Sequence, residues 1–186
     1  LSFGGFVGDM ATTVMVGVTD PEVLRLVSVA RQALAAGLGK ARAGNHLSDI
    51  SAAIEGVAAG AGFTVVRDFV GHGIGRSMHE DPQVPNFGPA GRGPVLRKGM
   101  TLAIEPMLNL GASGVEVAED RWTVRTRDGR PSAHFEHTVA VGEQGAEVLT
   151  CAEEKRNNFL SKRIQRKWLF PKKNSEQEAN QFFPQW

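Results

Sequence analysis

The chain has 186 residues, of which 41% are hydrophobic and 22% are charged. This composition is typical of a folded globular domain and excludes collagen-like and disordered proteins. A net charge of +1 and the lack of an apolar run near the roughly 20 residues that span a bilayer argue against a nucleic-acid-binding or membrane protein. The single cysteine, Cys151, excludes an internal disulfide and fits a reducing, cytoplasmic compartment.

The first third of the chain predicts strands followed by two helices. Residues 6–18 are apolar and β-branched enough for one or two strands, with Gly4-Gly5 as a turn or bulge. Asp20-Pro21 is a good helix start, and glycines end the first helix at Gly37 and Gly39.

A second helix is predicted from Leu47 to about Ala61. Its cap is expected to be Ser48 or Asp49, and His46 before it is expected to be a surface or capping residue. The proline- and glycine-rich stretch 82–94 predicts a long loop without regular structure. Further strands are predicted at 63–66, 101–107, 115–117, 122–126, 133–141 and 147–150.

One motif, residues 71–82, places two histidines seven positions apart among three glycines. Because glycine carries no side chain, the flanking Gly71 and Gly73 predict that His72 is open to a ligand. From the motif alone a metal or catalytic site and a structural role are equally supported. For His79 the alternative is a surface histidine in a loop.

Three carboxylates lie within apolar, strand-like sequence, where an unpaired charge is costly to bury. They are Asp9, Glu105 and Glu136. Asp9 also fits an edge or turn position. Taken together, the three predict pairing with a cation, and oxygen ligands with the imidazole of His72 suit Mn²⁺, Fe²⁺, Co²⁺ or Zn²⁺. Such a centre can activate water for hydrolysis, and His79 would then be free to contact a substrate carbonyl.

Four segments in this order resemble type I methionine aminopeptidases, over roughly residues 6–150. They are residues 71–86, 99–107, 122–124 and 135–138. The resemblance implies an α+β, pita-bread (creatinase/aminopeptidase-like) fold, present mostly as its C-terminal half, with an antiparallel curved sheet covered by helices. It implies metal-dependent removal of the initiator methionine from nascent proteins.

The resemblance also implies roles for individual residues. The metal ligands are Asp9, His72, Glu105 and Glu136; the catalytic residues are Glu105 and His79; the substrate-binding residues are His79, Met78 and Trp122. The implied substrate is a peptide or nascent chain beginning with Met, with the ribosome as a further partner and neither a membrane nor a specific nucleic acid.

The chain departs from the family pattern at both ends. The family's first metal-binding aspartate lies upstream of Leu1, so residues 1–152 are expected to be a partial metallopeptidase domain that holds one divalent ion rather than two. Residues 153–186 predict a basic tail, helical over 155–170 or disordered. The alternatives are an inactive fragment, a non-catalytic pita-bread remnant or binding protein, and a prolidase-type peptidase that acts on Xaa-Pro peptides.

Overall fold

The structure is a computed structural model that describes residues 1–151. Within this range the chain forms two helices and thirteen short strands. The helices are α1 (Pro21–Leu38) and α2 (Leu47–Gly60). The strands are β1 (Ser2–Phe3), β2 (Phe6–Val7), β3 (Met10–Ala11), β4 (Thr64–Val65), β5 (Gly71–Gly73), β6 (Glu80–Val84), β7 (Thr101–Ile104), β8 (Met107–Asn109), β9 (Val115–Val117), β10 (Val124–Thr126), β11 (Ser132–His134), β12 (Glu136–Val141) and β13 (Ala146–Val148).

The largest sheet has the order β13-β12-β7-β5-β6, and β3 pairs with β12 beside this path. A second sheet has the order β11-β8-β4, and all pairings in both sheets are antiparallel. Helix α1 contacts β7, β8 and β11, and helix α2 contacts β4 and β6. The predicted α+β class, with helices packed on antiparallel sheets, is therefore confirmed.

The two helices pack closely because a glycine faces the partner helix. A Cβ atom added to Gly37 would lie 3.0 Å from the side chain of Ile54, which is fully buried. Asp20 caps α1 as predicted, since its carboxylate accepts a hydrogen bond from the Glu22 N–H at 2.8 Å.

The cap of α2 is His46, so the prediction of Ser48 or Asp49 is wrong. Asp49 lies one turn inside the helix, where its carboxylate accepts hydrogen bonds from the backbone N–H of Gly91 and of His46. Both hydrogen bonds lower the pKa of Asp49, and the bond from Gly91 has the larger effect. The sequence placed the acidic residue correctly near the helix start but assigned it the wrong position.

Residues 12–18 are not a strand, although their β-branched composition predicted one. Regular pairing ends at Ala11, and the side chains of Val14 and Val16 are exposed. The preceding Gly4-Gly5 turn is confirmed, because both glycines have positive φ between the antiparallel strands β1 and β2. Composition favoured extended backbone here, but no neighbouring strand pairs with it.

The predicted loop at 82–94 begins three residues too early, because β6 (Glu80–Val84) includes Pro82, Gln83 and Val84. In the sheet order β6 is an edge strand that pairs only with β5. Proline is compatible with an edge strand because its missing N–H can face away from the ladder.

The predicted strand 133–141 is two strands that belong to different sheets. β11 pairs with β8, whereas β12 pairs with β7, β3 and β13, and Phe135 lies between the two strands. His134 therefore ends a strand of one sheet, and Glu136, two residues later, begins a strand of the other.

The predicted tail at 153–186, with its helix at 155–170, lies outside the described residues. Among residues 1–151 no helix is both long and apolar enough to cross a bilayer.

Candidate metal centre

His72 is the central residue of β5, with β6 on one side and β7 on the other. Its side chain is almost fully buried, and its Nδ1–H donates a hydrogen bond of 2.9 Å to the Gly73 carbonyl oxygen. Since a carbonyl oxygen only accepts, this bond places the ring proton on Nδ1 and leaves the lone pair on Nε2 free. The ring is therefore in the tautomer that can ligate a metal through Nε2.

The glycines beside His72 serve the close packing of the sheet. A Cβ atom on Gly71 would overlap the Ala103 carbonyl oxygen, and one on Gly73 would overlap the Asp81 carbonyl oxygen. Neighbouring backbone thus occupies the space that the missing side chains leave. Only the Nε2 side of the ring is left for polar partners.

Glu105 and Glu136 come together because β7 and β12 are antiparallel neighbours. Ile104 pairs with His137, so Glu105, which directly follows β7, faces the start of β12 at Glu136. Glu136 is 4% exposed, and its Oε1 has no hydrogen-bond partner among the described residues. Burial, and then the negative charges of Glu105 and Asp9, raise the pKa of Glu136 to about 8.

Asp9 reaches the same place from the other end of the chain. Strand β3 pairs with the start of β12, with Ala11 opposite Glu136. The Asp9 N–H donates to the Thr138 hydroxyl at 2.9 Å, and that hydroxyl donates to the Asp9 carbonyl oxygen at 2.8 Å. A single hydroxyl thus satisfies both backbone groups of Asp9 and fixes its position against β12.

The four predicted ligands lie together in the structure. Donor atoms of Asp9, His72 and Glu136 all lie within 4.8 Å of one another, and His72 Nε2 lies 3.7 Å from Glu105 Oε1. None of the ion pairs among the described residues joins a lysine or arginine to these carboxylates. A buried carboxylate oxygen without a partner, beside two further carboxylates and a free imidazole nitrogen, fits a divalent cation.

A fifth residue, His134, is part of this cluster and was missed from the sequence. Its Nε2 lies 3.5 Å from Glu105 Oε2, and its donor atom groups with those of Glu105 and Glu136 within 4.8 Å. The spacing of His134 and Glu136 was the available signal, because residues two apart on an extended chain point to one face.

The predicted substrate-contacting residues are more exposed than the ligands. The His79 ring meets the His72 ring edge-on, with centroids 4.5 Å apart, and both line a surface depression of about 600 Å³. Met78 precedes His79 and is exposed. Trp122 lies in the turn between β9 and β10, is 87% exposed, and is not among the residues that line the depression. The binding roles of Met78 and Trp122 stay predictions.

Removing the Thr138 hydroxyl is expected to loosen Asp9. Thr138→Val leaves the N–H and C=O of Asp9 without their partner, which is expected to cost about 1–3 kcal/mol of unfolding free energy and about tenfold in cation affinity. Denaturant unfolding and calorimetric titration with Mn²⁺ measure the two effects. Thr138→Ser keeps the hydroxyl and is the control; equal loss in both variants would contradict the role of the hydrogen bonds.

Comparison with known proteins places this site in a family. Residues 1–143 match metallopeptidase family M24. The methionine aminopeptidase of Clostridium perfringens is 51% identical over 146 residues, which cover 78% of this chain and 59% of that protein. Methionine aminopeptidase 1 of Bacillus subtilis is 47% identical over 146 residues, with the same coverage of 78% and 59%.

Solved structures agree with the sequence relatives. The methionine aminopeptidase from Thermotoga maritima superposes with a TM-score of 0.79 at 50% identity, covering 81% of this chain and 60% of that chain. The prolidase from Pyrococcus furiosus superposes with a TM-score of 0.62 at 21% identity, covering 81% and 39%, and supports the fold alone. The predicted pita-bread fold and the predicted resemblance to type I methionine aminopeptidases are confirmed.

The chain spans about three fifths of the length of these methionine aminopeptidases. The match nevertheless covers most of the described residues, including every member of the carboxylate and histidine cluster. Membership of this family implies use of a divalent metal, and the donor set fits one. The chain belongs to metallopeptidase family M24.

Proposed function

We propose that this chain carries the catalytic centre of a methionine aminopeptidase, which hydrolyses the peptide bond after an N-terminal methionine. The observation that carries the proposal is the meeting of Asp9, His72, Glu105 and Glu136 around an unpartnered carboxylate oxygen, at the edge of a depression lined by His79. Relatives named methionine aminopeptidase at 51% and 47% identity support the substrate class.

In this proposal Asp9, His72, Glu105 and Glu136 hold one divalent cation of the group Co²⁺, Mn²⁺, Fe²⁺ or Zn²⁺. The cation, when bound, supplies Lewis-acid activation of water and of the scissile carbonyl. Glu105 takes the proton of the attacking water through its carboxylate and delivers it to the leaving amine. The side-chain amide of Asn86 donates a hydrogen bond of 3.2 Å to the backbone carbonyl oxygen of Glu105, and this bond helps to fix the position of Glu105.

His79 contacts the substrate instead of the cation. Its ring is exposed at the depression, beside the buried His72 ring. From there its N–H can donate to the substrate carbonyl oxygen, where negative charge develops in the transition state. Met78 and Trp122 would contact the methionine side chain, for which a flexible thioether is well suited.

The same proposal covers location and partners. A protein that removes initiator methionine acts on chains as they are synthesised, which agrees with a cytoplasmic location and with action near the ribosome. The lone Cys151 is compatible with a reducing compartment.

Release of methionine from the peptide Met-Ala-Ser in the presence of Mn²⁺ or Co²⁺ tests the proposal. A parallel assay with a Xaa-Pro peptide tests for prolidase activity instead. His79→Ala is expected to lower kcat about 10²- to 10³-fold, because a donor to the developing oxyanion is lost. The cation affinity of this variant is expected to stay unchanged. His46→Ala, at the remote cap of α2, is the matched histidine control. A chain that binds Mn²⁺ but releases no methionine, or a fully active His79→Ala, would contradict the proposal.

A further inference from the structure

Glu105 lies at the junction where the chain passes from one sheet to the other. Strand β7 of the large sheet ends at Ile104, and β8 of the second sheet begins at Met107. At this junction the backbone carbonyl oxygen of Glu105 accepts the hydrogen bond of 3.2 Å from the Asn86 side chain. The position of Glu105 therefore depends on where Asn86 is held.

Asn86 is fully buried in a part of the chain without regular secondary structure. It belongs to the stretch 85–100 between β6 and β7, which contains neither a strand nor a helix. Its Oδ1 atom has no hydrogen-bond partner among the described residues. Because burial of an unsatisfied carboxamide oxygen is unfavourable, the neighbouring residues must hold this part of the loop in place.

Helix α2 holds the two residues that follow Asn86. The Gly88 N–H donates a hydrogen bond of 2.9 Å to Glu55 Oε2, and the Arg67 guanidinium donates one of 2.9 Å to Glu55 Oε1. The same guanidinium lies over the Phe87 ring, 4.4 Å from its centroid. Contacts that begin at a single carboxylate on α2 thus reach both residues of the loop.

The ion pair between Glu55 and Arg67 is of little use for stability alone. The two side chains are 33% and 54% exposed, and ion pairs in such surroundings contribute little to the free energy of unfolding. Its value is geometric, because a carboxylate with a separate donor on each oxygen is held in one orientation. In that orientation Oε2 fixes the backbone at Gly88, two residues after Asn86.

We infer that Glu55 is a positioning residue of the metal centre, which acts through Gly88 and Asn86 on Glu105. The inference rests on the proposed function, in which Glu105 holds the cation and moves the proton. Without Glu55 the loop can shift, and the hydrogen bond from Asn86 to Glu105 shifts with it. A ligand that is held less precisely binds its metal more weakly.

Calorimetric titration of the full chain with Mn²⁺ measures the effect on cation affinity. Glu55→Ala is expected to weaken binding about tenfold, as is typical when a partner that orients a ligand is removed. Glu55→Gln keeps an oxygen that can accept from the Gly88 N–H and is expected to restore most of the affinity. Asn86→Ala removes the link to Glu105 itself and is expected to weaken binding at least as much.

The double variant Glu55→Ala/Asn86→Ala tests whether Glu55 acts through Asn86. If it does, the double variant is expected to bind Mn²⁺ no more weakly than Asn86→Ala alone, whereas independent losses would multiply. Asn86→Ser takes the place of Asn86→Ala if the latter does not fold. In the release of methionine from Met-Ala-Ser, Glu55→Ala is expected to lower kcat and leave KM unchanged, because Glu105 acts on the reaction and not on the peptide.

Two matched variants control for a general loss of stability. Glu22→Ala breaks an ion pair of 2.8 Å with Arg25 on α1. Asn109→Ala removes a second fully buried asparagine, whose side-chain amide donates to the Ala112 carbonyl oxygen. Both variants are expected to keep the Mn²⁺ affinity of the unaltered chain, whatever change in stability urea unfolding shows.

The outcomes distinguish this inference from the proposed function. Unchanged affinity in Glu55→Ala, losses that multiply in the double variant, or an equal loss in Asn109→Ala would overturn the inference and leave the proposed function standing. A chain that binds Mn²⁺ but releases no methionine would contradict the proposed function, while the affinities would still test Glu55. Failure of the unaltered chain to bind Mn²⁺ would overturn both.

Discussion

The free energy of unfolding of the metal-free protein is expected to fall as the pH rises from about 4.5 to above 8, and Glu136→Gln is expected to remove most of this fall. The cause is the pKa of Glu136, which burial and then the charges of Glu105 and Asp9 raise to about 8 from an ordinary value of 4.5. Folding thus favours the protonated carboxyl group over the ionised one.

The sign and size follow from this difference. Below about pH 4.5 the carboxyl group of Glu136 is protonated in both the folded and the unfolded chain, so its contribution to stability is complete. Between pH 4.5 and 8 the carboxyl group of Glu136 is ionised in the unfolded chain but still protonated in the folded chain. Its contribution to stability falls over this range and is lost once the pH exceeds the pKa of the folded state. The total is at most about 5 kcal/mol.

Urea unfolding at a series of pH values, in the presence of a chelator, measures this dependence. Glu116→Gln removes an exposed glutamate of β9 and is expected to leave the dependence unchanged. Added Mn²⁺ is expected to reverse the trend above neutral pH, because a cation binds the ionised carboxylate. A pH dependence that is the same in Glu136→Gln and in the unaltered chain would refute the assignment.

Gly73→Ala is expected to destabilise the protein by about 3 kcal/mol or more and to abolish tight cation binding. The added Cβ atom would overlap the backbone of Asp81, which belongs to β6 and cannot move as a flexible side chain does. To admit it, β5 must separate from β6, and His72 lies in β5. The effect is therefore expected in both unfolding experiments and cation titration.

The control for this substitution is Gly56→Ala. Gly56 lies in α2, and an added Cβ atom would meet nothing within 4 Å. Alanine in a helix interior is more favourable than glycine by about 0.5–1 kcal/mol, so a small gain in stability is expected. If Gly73→Ala were as stable as Gly56→Ala, the close approach of β5 and β6 would not constrain residue 73.

Much of the site could be predicted because its members stand out chemically in the sequence. A carboxylate in an apolar strand, such as Glu136, is costly unless it has a partner, and this cost is visible without a structure. The sequence singles out His72 because this histidine lies between two glycines, seven positions before a second histidine, His79. Their positions relative to one another came from the resemblance to a family.

What could not be predicted depends on contacts between distant segments. The break at Phe135 depends on which sheet each half-strand joins, and local β-propensity does not specify this choice. The role of Gly71 and Gly73 depends on the backbones of Ala103 and Asp81, which the local sequence does not place. His134 was missed for the same reason, since its partner Glu105 comes from another strand.

The pairing of Asp9 with β12 has a consequence for the order of events during folding. Asp9 and Thr138, which hold each other, are 129 residues apart in the sequence. The loop between them must close before Asp9 can join the other ligands, and closing so long a loop is costly in entropy and slow. The complete ligand set therefore forms late in folding. A cation that needs all four ligands is expected to bind after this step, so that it would slow unfolding more than it would speed folding.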